Sequence, residues 1–172
     1  ITDNCNLFAL VKFFKAAEKA GIKPIAGAEL FFDNGQGGFF RVTALCQNHI
    51  GYLNLSKLIS RAYLEEHTRD LPVIRPEWLF ADSAGLILLH GRQSPLAALM
   101  TTTGAPDAEY RIDQWLTVFP RRIYIEISRL GLPEETAFNT RAIAFAEAHR
   151  LPLIASNDVR FLEAEDYEAH EA

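Results

Sequence analysis

The chain predicts an α/β fold with a mainly parallel sheet, and three observations carry that prediction. Residues 86–89, 123–127 and 153–155 are short apolar runs of the kind shown by parallel strands covered on both faces. Helical patterns lie between them, most clearly over 107–119 and 133–149. With 172 residues and 49% hydrophobic content, the chain can bury one core but is too short for two ordinary domains. A single domain spanning 1–172 is expected.

Taken in order, Ile1-Thr2-Asp3-Asn4 reads as the end of a strand. Leu7, Leu10, Val11, Phe14 and Ala17 then recur at helical spacing, and Gly21 stops the pattern as a C-terminal cap would. A short strand is expected over 23–25. Residues 28–32 and 39–46 read as strands joined by Asp33-Asn34-Gly35-Gln36-Gly37-Gly38, a dense turn signal between aromatic-rich runs and hence a hairpin loop. Tyr52, Leu55, Ile59 and Ala62 restore a helical stripe, which Pro72 and Pro76 break. After the strand at 86–89 comes the helix at 107–119, and after the strand at 123–127 the helix at 133–149. That last helix has Pro133 in its first turn, Glu134 and Glu135 at the positive end of the helix dipole, and an apolar face at Phe138, Ala142, Phe145 and Ala146.

Composition excludes several functions. A net charge of −5 argues against this piece gripping a phosphate backbone, because binding by counterion release needs clustered Lys and Arg. Arg121-Arg122 is the only adjacent basic pair and reads as solvated surface. Cys5 and Cys46 sit in apolar surroundings without Cys-x-x-Cys spacing, which fits a reducing cytoplasm and indicates neither a zinc ribbon nor a redox pair. No run approaches the roughly 20 apolar residues of a membrane span, and the first residues match neither a signal nor a transit peptide. Phosphate-loop, nucleophile-elbow and His-Glu-x-x-His patterns are missing. Phe8, Phe13 and Phe14 read as core rather than as a base-stacking platform.

Five short motifs follow one another in a telling order: Ile1-Thr2-Asp3-Asn4, Gly27-Ala28-Glu29, Gly51-Tyr52-Leu53-Asn54-Leu55, Tyr124-Ile125-Glu126 and Asn157-Asp158-Val159-Arg160. With Ile22 to Gly27, Ser60 to Tyr63, Gly85 to Leu89 and the closing Asp166 to His170, they resemble the PHP (polymerase and histidinol phosphatase) domain of the bacterial replicative DNA polymerase III alpha subunit. The resemblance runs over essentially the whole chain. It implies a distorted (β/α)7 barrel, which periodicity alone cannot separate from an open sheet, here lacking the first strand with its His-x-His pair. The chain is accordingly expected to be a fragment of a larger polymerase.

The resemblance also implies a site at the carboxyl ends of the strands, where the family holds divalent metals with His and carboxylate ligands. Asp3, Glu29 and Asp158 match carboxylate positions, and His170 matches the closing histidine. Four other ligand positions are replaced: by Asn4, by Arg41, by Arg160 and, in a variable loop, by Arg92. Arginine keeps its charge at any working pH and cannot coordinate a metal, so the metal cluster is expected to have become an ion-pair network, with Arg160 and Arg41 close to Glu29, Asp158 or Asp3. No metal or other cofactor is expected in this segment, while the parent polymerase would use Mg²⁺ in its own catalytic domain. His49, His67 and His149 read as ordinary surface or helix-end residues, and His90, directly after a buried strand, as a weaker ligand candidate than His170. Among functions, the favoured expectation is a non-catalytic brace and docking surface for the proofreading exonuclease subunit and other replicase subunits, with DNA bound through other domains of the parent chain. The alternative is an active metal-dependent phosphoesterase or 3′–5′ exonuclease, which would need imidazole where Arg41 and Arg160 stand.

Overall fold

The computed structural model describes residues 1–65, 67, 68, 71–101, 108–157, 159, 163 and 165. Among the described residues, six strands form the main sheet in the order β1 (Thr2–Asn4), β2 (Gly27–Asp33), β3 (Phe39–Cys46), β6 (Leu86–His90), β7 (Ile123–Ile127), β8 (Leu153–Ala155). A separate two-stranded ladder joins β4 (His67–Thr68) to β5 (Leu71–Pro72). β1–β2, β6–β7 and β7–β8 pair in parallel, whereas β3 is antiparallel to both of its neighbours. Five strands therefore share one direction and β3 alone is reversed. This is the α/β class that the sequence implies, and β1 and β8 are the sheet's edges among the described residues.

The reversal comes from the glycine turn. Asp33 Oδ1 accepts the Gly35 N–H at 2.7 Å and Asn34 Oδ1 accepts those of Gln36 and Gly38, while Gly35 and Gly37 take the left-handed backbone that glycine tolerates. The strand expected over 23–25 is absent. Pro24 has no N–H to give a ladder, and pairing starts only at Gly27, although the Ile25 carbonyl accepts an N–H of Ile1 at 2.9 Å.

The helices are α1 (Leu10–Lys19), α2 (His49–Glu65), α3 (Pro76–Ala81), α4 (Pro95–Thr101), α5 (Ala108–Val118) and α6 (Glu135–His149). α3 and α4 went unread in the sequence because each is too short to show a period. Pro133 precedes α6 rather than sitting in its first turn. No helix among the described residues is long and apolar enough to cross a membrane.

Strand alternation separates two faces of the sheet. Leu30, Phe32, Val42, Ala44, Leu86, Leu88, Ile123 and Ile125 project to one side and pack in one buried cluster with Leu55, Leu58 and Ala62 of α2, Trp115 of α5 and Phe138 and Ala142 of α6. Each such large side chain contributes about 1.5–3 kcal/mol on burial. The other face carries Glu29, Arg41, Thr43, Leu89 and Glu126.

One turn, residues 82–86, gathers the amino-terminal end of this assembly. Gly51 of α2 lies against Gly85, and a Cβ on Gly51 would fall inside the Gly85 carbonyl. Asn48 Oδ1 accepts the Gly51 N–H at 3.0 Å, Asn54 Nδ2 donates to the Ala84 carbonyl at 2.9 Å, and Lys57 pairs with Asp82 at 2.8 Å. Arg122 corrects the surface reading of the Arg121-Arg122 pair. Its half-buried guanidinium donates to the carbonyls of Ser83, Leu86 and Val118 at 2.5, 2.9 and 2.9 Å, while Arg121 is exposed.

Candidate functional site

The polar face of the sheet opens into a cleft of about 370 Å³ at the carboxyl-terminal ends of β6, β7 and β8. Because β3 is reversed, its first residues reach the same end. The Arg41 N–H donates to the Gln93 carbonyl at 2.9 Å, which ties the loop after β6 to β3. Glu29 stands opposite Thr43 in the β2–β3 register, so Arg41, two residues earlier than Thr43, is its diagonal neighbour on the same face. Arg41 Nη1 lies 3.4 Å from Glu29 Oε2, and its guanidinium carbon is 5.4 Å from the centroid of the Phe31 ring. The Arg41 side chain is 40% exposed, so water screens this pair.

Glu126 and Ser156 form the other wall. Ser156 Oγ donates to Glu126 Oε1 at 2.6 Å, a length typical of a hydroxyl bonded to a carboxylate. The second carboxylate oxygen lies over Gly91, where a Cβ would come within 2.7 Å of it. Arg92 lines the mouth and pairs with Glu134 at 3.1 Å, linking the loop after β6 to the start of α6.

The loop from β7 to α6 is held by Glu135. Its buried carboxylate accepts the N–H groups of Leu130, Gly131 and Leu132 at 2.8–3.1 Å and the Ser128 hydroxyl at 3.0 Å. Hydrogen bonding to the charged form, first of all from the Leu130 N–H, holds this carboxyl below its ordinary pKa. Ser128 and Leu130 both line the cleft, so Glu135 shapes it without facing it.

The residues singled out in the sequence are distributed unevenly. Glu29, Arg41 and Arg92 all line the cleft. Asp3 pairs with Ala28 across β1–β2, which puts it on the face opposite Glu29, while Asn4 pairs with Glu29 and is exposed. Asp158, Arg160 and His170 lie outside the described residues. Their sequence neighbours Asn157 and Val159 line the cleft. His90 is the last residue of β6, one position beyond the cleft-lining Leu89, and turns to the other side, edge-on to Trp115 at 4.9 Å. It is completely buried, and neither ring nitrogen has a hydrogen-bond partner among the described residues. Burial pushes its pKa down to about 3, so it is a neutral core residue. His49 stacks on Tyr52 and His149 packs on Phe145.

The sequence placed Glu126 in one of the resemblance motifs without a site role and gave Ser156 no role. The available signal was a glutamate breaking an otherwise apolar strand near its carboxyl end. Among the described residues, no group of three or more His, Cys, Asp or Glu side chains comes together to hold a metal ion. The charged side chains lining the cleft, among the described residues, are Glu29, Glu126, Arg41 and Arg92.

A family model described as the PHP domain matches residues 1–130. The chain is 44% identical over 173 residues to a protein named DNA polymerase III subunit alpha from Xylella fastidiosa, covering all of this chain and 14% of that protein. It is 39% identical over 174 residues to the protein of the same name from Pseudomonas fluorescens and 38% identical over 174 residues to that from Escherichia coli K12, in each case covering 99% of this chain and 15% of the relative. The chain thus spans about one seventh of the length of these relatives.

Proposed function

The chain belongs to the PHP domain family, and from that premise we propose that it is the PHP domain of a replicative DNA polymerase III alpha subunit, acting in DNA replication as a structural brace and docking surface rather than as a phosphoesterase. The observation that carries the non-catalytic reading is the Arg41 guanidinium beside Glu29 in the cleft. A fixed cation occupies the neighbourhood in which a metal-dependent site needs an imidazole donor. The remnants Asp3, Glu29, Asp158 and His170, with Asn4, Arg41, Arg92 and Arg160 as replaced ligands, then describe a degenerate metal site. The active phosphoesterase or exonuclease remains the competing reading.

In this reading the sheet closes into a (β/α)7 barrel through a further strand, a step supported by β1 and β8 pointing the same way. The protein works in the cytoplasm, contacts the proofreading exonuclease subunit and other replicase subunits, and meets DNA and Mg²⁺ through other domains of the parent chain. Elemental analysis of the complete polymerase chain, purified without chelators, tests the site. The expected result is no stoichiometric Zn²⁺ or Mn²⁺ at this domain and no phosphodiester hydrolysis that a polymerase-centre variant retains. A stoichiometric metal whose removal abolishes such hydrolysis overturns the proposal.

A further inference from the structure

At the end of the sheet away from the cleft, α1 carries three separate stripes. Leu10, Phe13 and Ala17, at helical spacing, turn toward the protein, with Leu10 and Ala17 buried. Lys12, Lys15 and Lys19 form an exposed row on the far side of the helix. Between the two rows, Val11 and Phe14 are 64% and 44% exposed and form one wall of an open groove of about 690 Å³, with Ile25, Leu45, Ile87 and Tyr52 across from them. Lys15 and Lys23 line the groove and Lys12 and Lys19 continue the exposed row beside Lys15, so four of the chain's five lysines lie at or next to it in a chain of net charge −5, with Glu18 the one acid on the Val11–Phe14 stripe.

We propose that this groove docks an acidic amphipathic segment of a partner protein, its apolar side chains seated between α1 and Ile25 and its carboxylates set against the lysine row. A single isolated apolar residue on a surface is ordinary, but a groove walled by Val11, Phe14 and Ile25 is a patch of the kind that marks an interaction site. A helix laid in such a groove would repeat its anchors every three to four residues, as Val11 and Phe14 themselves do. The lysines then select partners by sign: they speed encounter with an acidic segment and repel a basic one. Single-stranded nucleic acid fits less well, because the groove wall is mainly aliphatic and offers no row of aromatic rings for successive bases. The inference rests on the docking role proposed above and supplies it with a surface.

The test uses the complete polymerase chain and the exonuclease subunit of the same replicase, titrated at low and high salt. Two variants are compared with the unaltered chain: Val11→Asp with Phe14→Asp, and Lys12→Glu with Lys15→Glu and Lys19→Glu. Both are expected to weaken binding about tenfold or more, as removal of central anchors does, and added salt should weaken the unaltered complex. The lysine variant changes only exposed positions, so it decides the matter if the apolar variant does not fold. Unchanged exonuclease binding by the lysine variant overturns the groove and leaves the docking role standing on another surface. If the unaltered chain does not bind the exonuclease at all, the docking role itself falls and takes the groove with it. A single-stranded oligonucleotide whose binding is lost in the lysine variant, while exonuclease binding is kept, also overturns the proposal.

Discussion

The turn at 82–86 and the cleft lie at opposite ends of the same strands, and they are built to different tolerances. At the turn, two glycine backbones touch, and Asn54, Lys57 and Arg122 converge on oxygens of Asp82, Ser83, Ala84 and Leu86 at 2.5–2.9 Å. In the cleft, Arg41–Glu29 and Arg92–Glu134 meet at 3.4 and 3.1 Å with partly exposed side chains. The Gly51-Tyr52-Leu53-Asn54-Leu55 motif, which carries much of the family resemblance, belongs to the first region. It is architectural: Gly51 permits the helix to touch Gly85, and Asn54 closes the turn. Residue types that identify a fold can thus sit at the opposite end of the strands from the cleft.

The most damaging way to break this comparison is at the turn. Gly51→Val should cost about 3 kcal/mol or more, because the intruding atoms meet the Gly85 backbone rather than a side chain that could swing away. Denaturant unfolding of the domain measures it, and a loss below about 1 kcal/mol would show that α2 shifts freely. Arg122→Ala comes next, at about 2 kcal/mol, since a charged donor is withdrawn from three carbonyls that then depend on water. Arg121→Ala, at an exposed position next door, is the natural control and should be close to neutral.

A pH titration sharpens the same contrast. His90 has its folded pKa lowered from 6.5 to about 3 by burial, so between those values the unfolded chain binds the extra proton. Stability should be flat above the unfolded value and fall as the pH drops below it, by at most about 1.4 kcal/mol per pH unit. His90→Leu should remove that slope if the fold accepts it. Glu135 acts in the same direction but later: its carboxyl is held low in the folded state, so its contribution is present above the ordinary glutamate value and is lost as the pH falls through the folded one. Glu135→Gln should therefore flatten only the most acidic part of the curve and loosen the 128–132 loop, read by amide exchange. A stability curve that does not change between pH 7 and pH 5 would contradict the buried-neutral description of His90.

Much of the fold was legible because burial writes itself into sequence. The apolar runs at 86–89 and 123–127 became β6 and β7, and the glycine-rich turn became the β2–β3 hairpin. Short helices such as Pro95–Thr101 left no trace, since seven residues give barely two turns of pattern. Arg122 was misread because a guanidinium serving carbonyls on a distant turn looks, in sequence, like any surface arginine. At the site, the family resemblance brought Arg41 and Glu29 together, and the β2–β3 register makes them diagonal neighbours. Glu126 with Ser156 could not, since their pairing bridges 30 residues and depends on β7 and β8 being adjacent.

The smallest expected effect lies in the cleft itself. Arg41→Ala should cost under about 1 kcal/mol, because an ion pair at 3.4 Å with its arginine 40% exposed is screened, and Glu29 can recruit water once the guanidinium is gone. Were the pair dry and tightly locked, the same substitution would leave a buried charge and cost about 3–5 kcal/mol, so the measured value separates a loose acid–guanidinium site from a rigid internal brace. A double-mutant cycle with Glu29→Gln isolates the interaction from the loss of the Phe31 contact. A coupling well under 1 kcal/mol would mean that the pair adds little to stability; a coupling as large as the cost of Arg122→Ala would erase the difference between the two ends of the sheet.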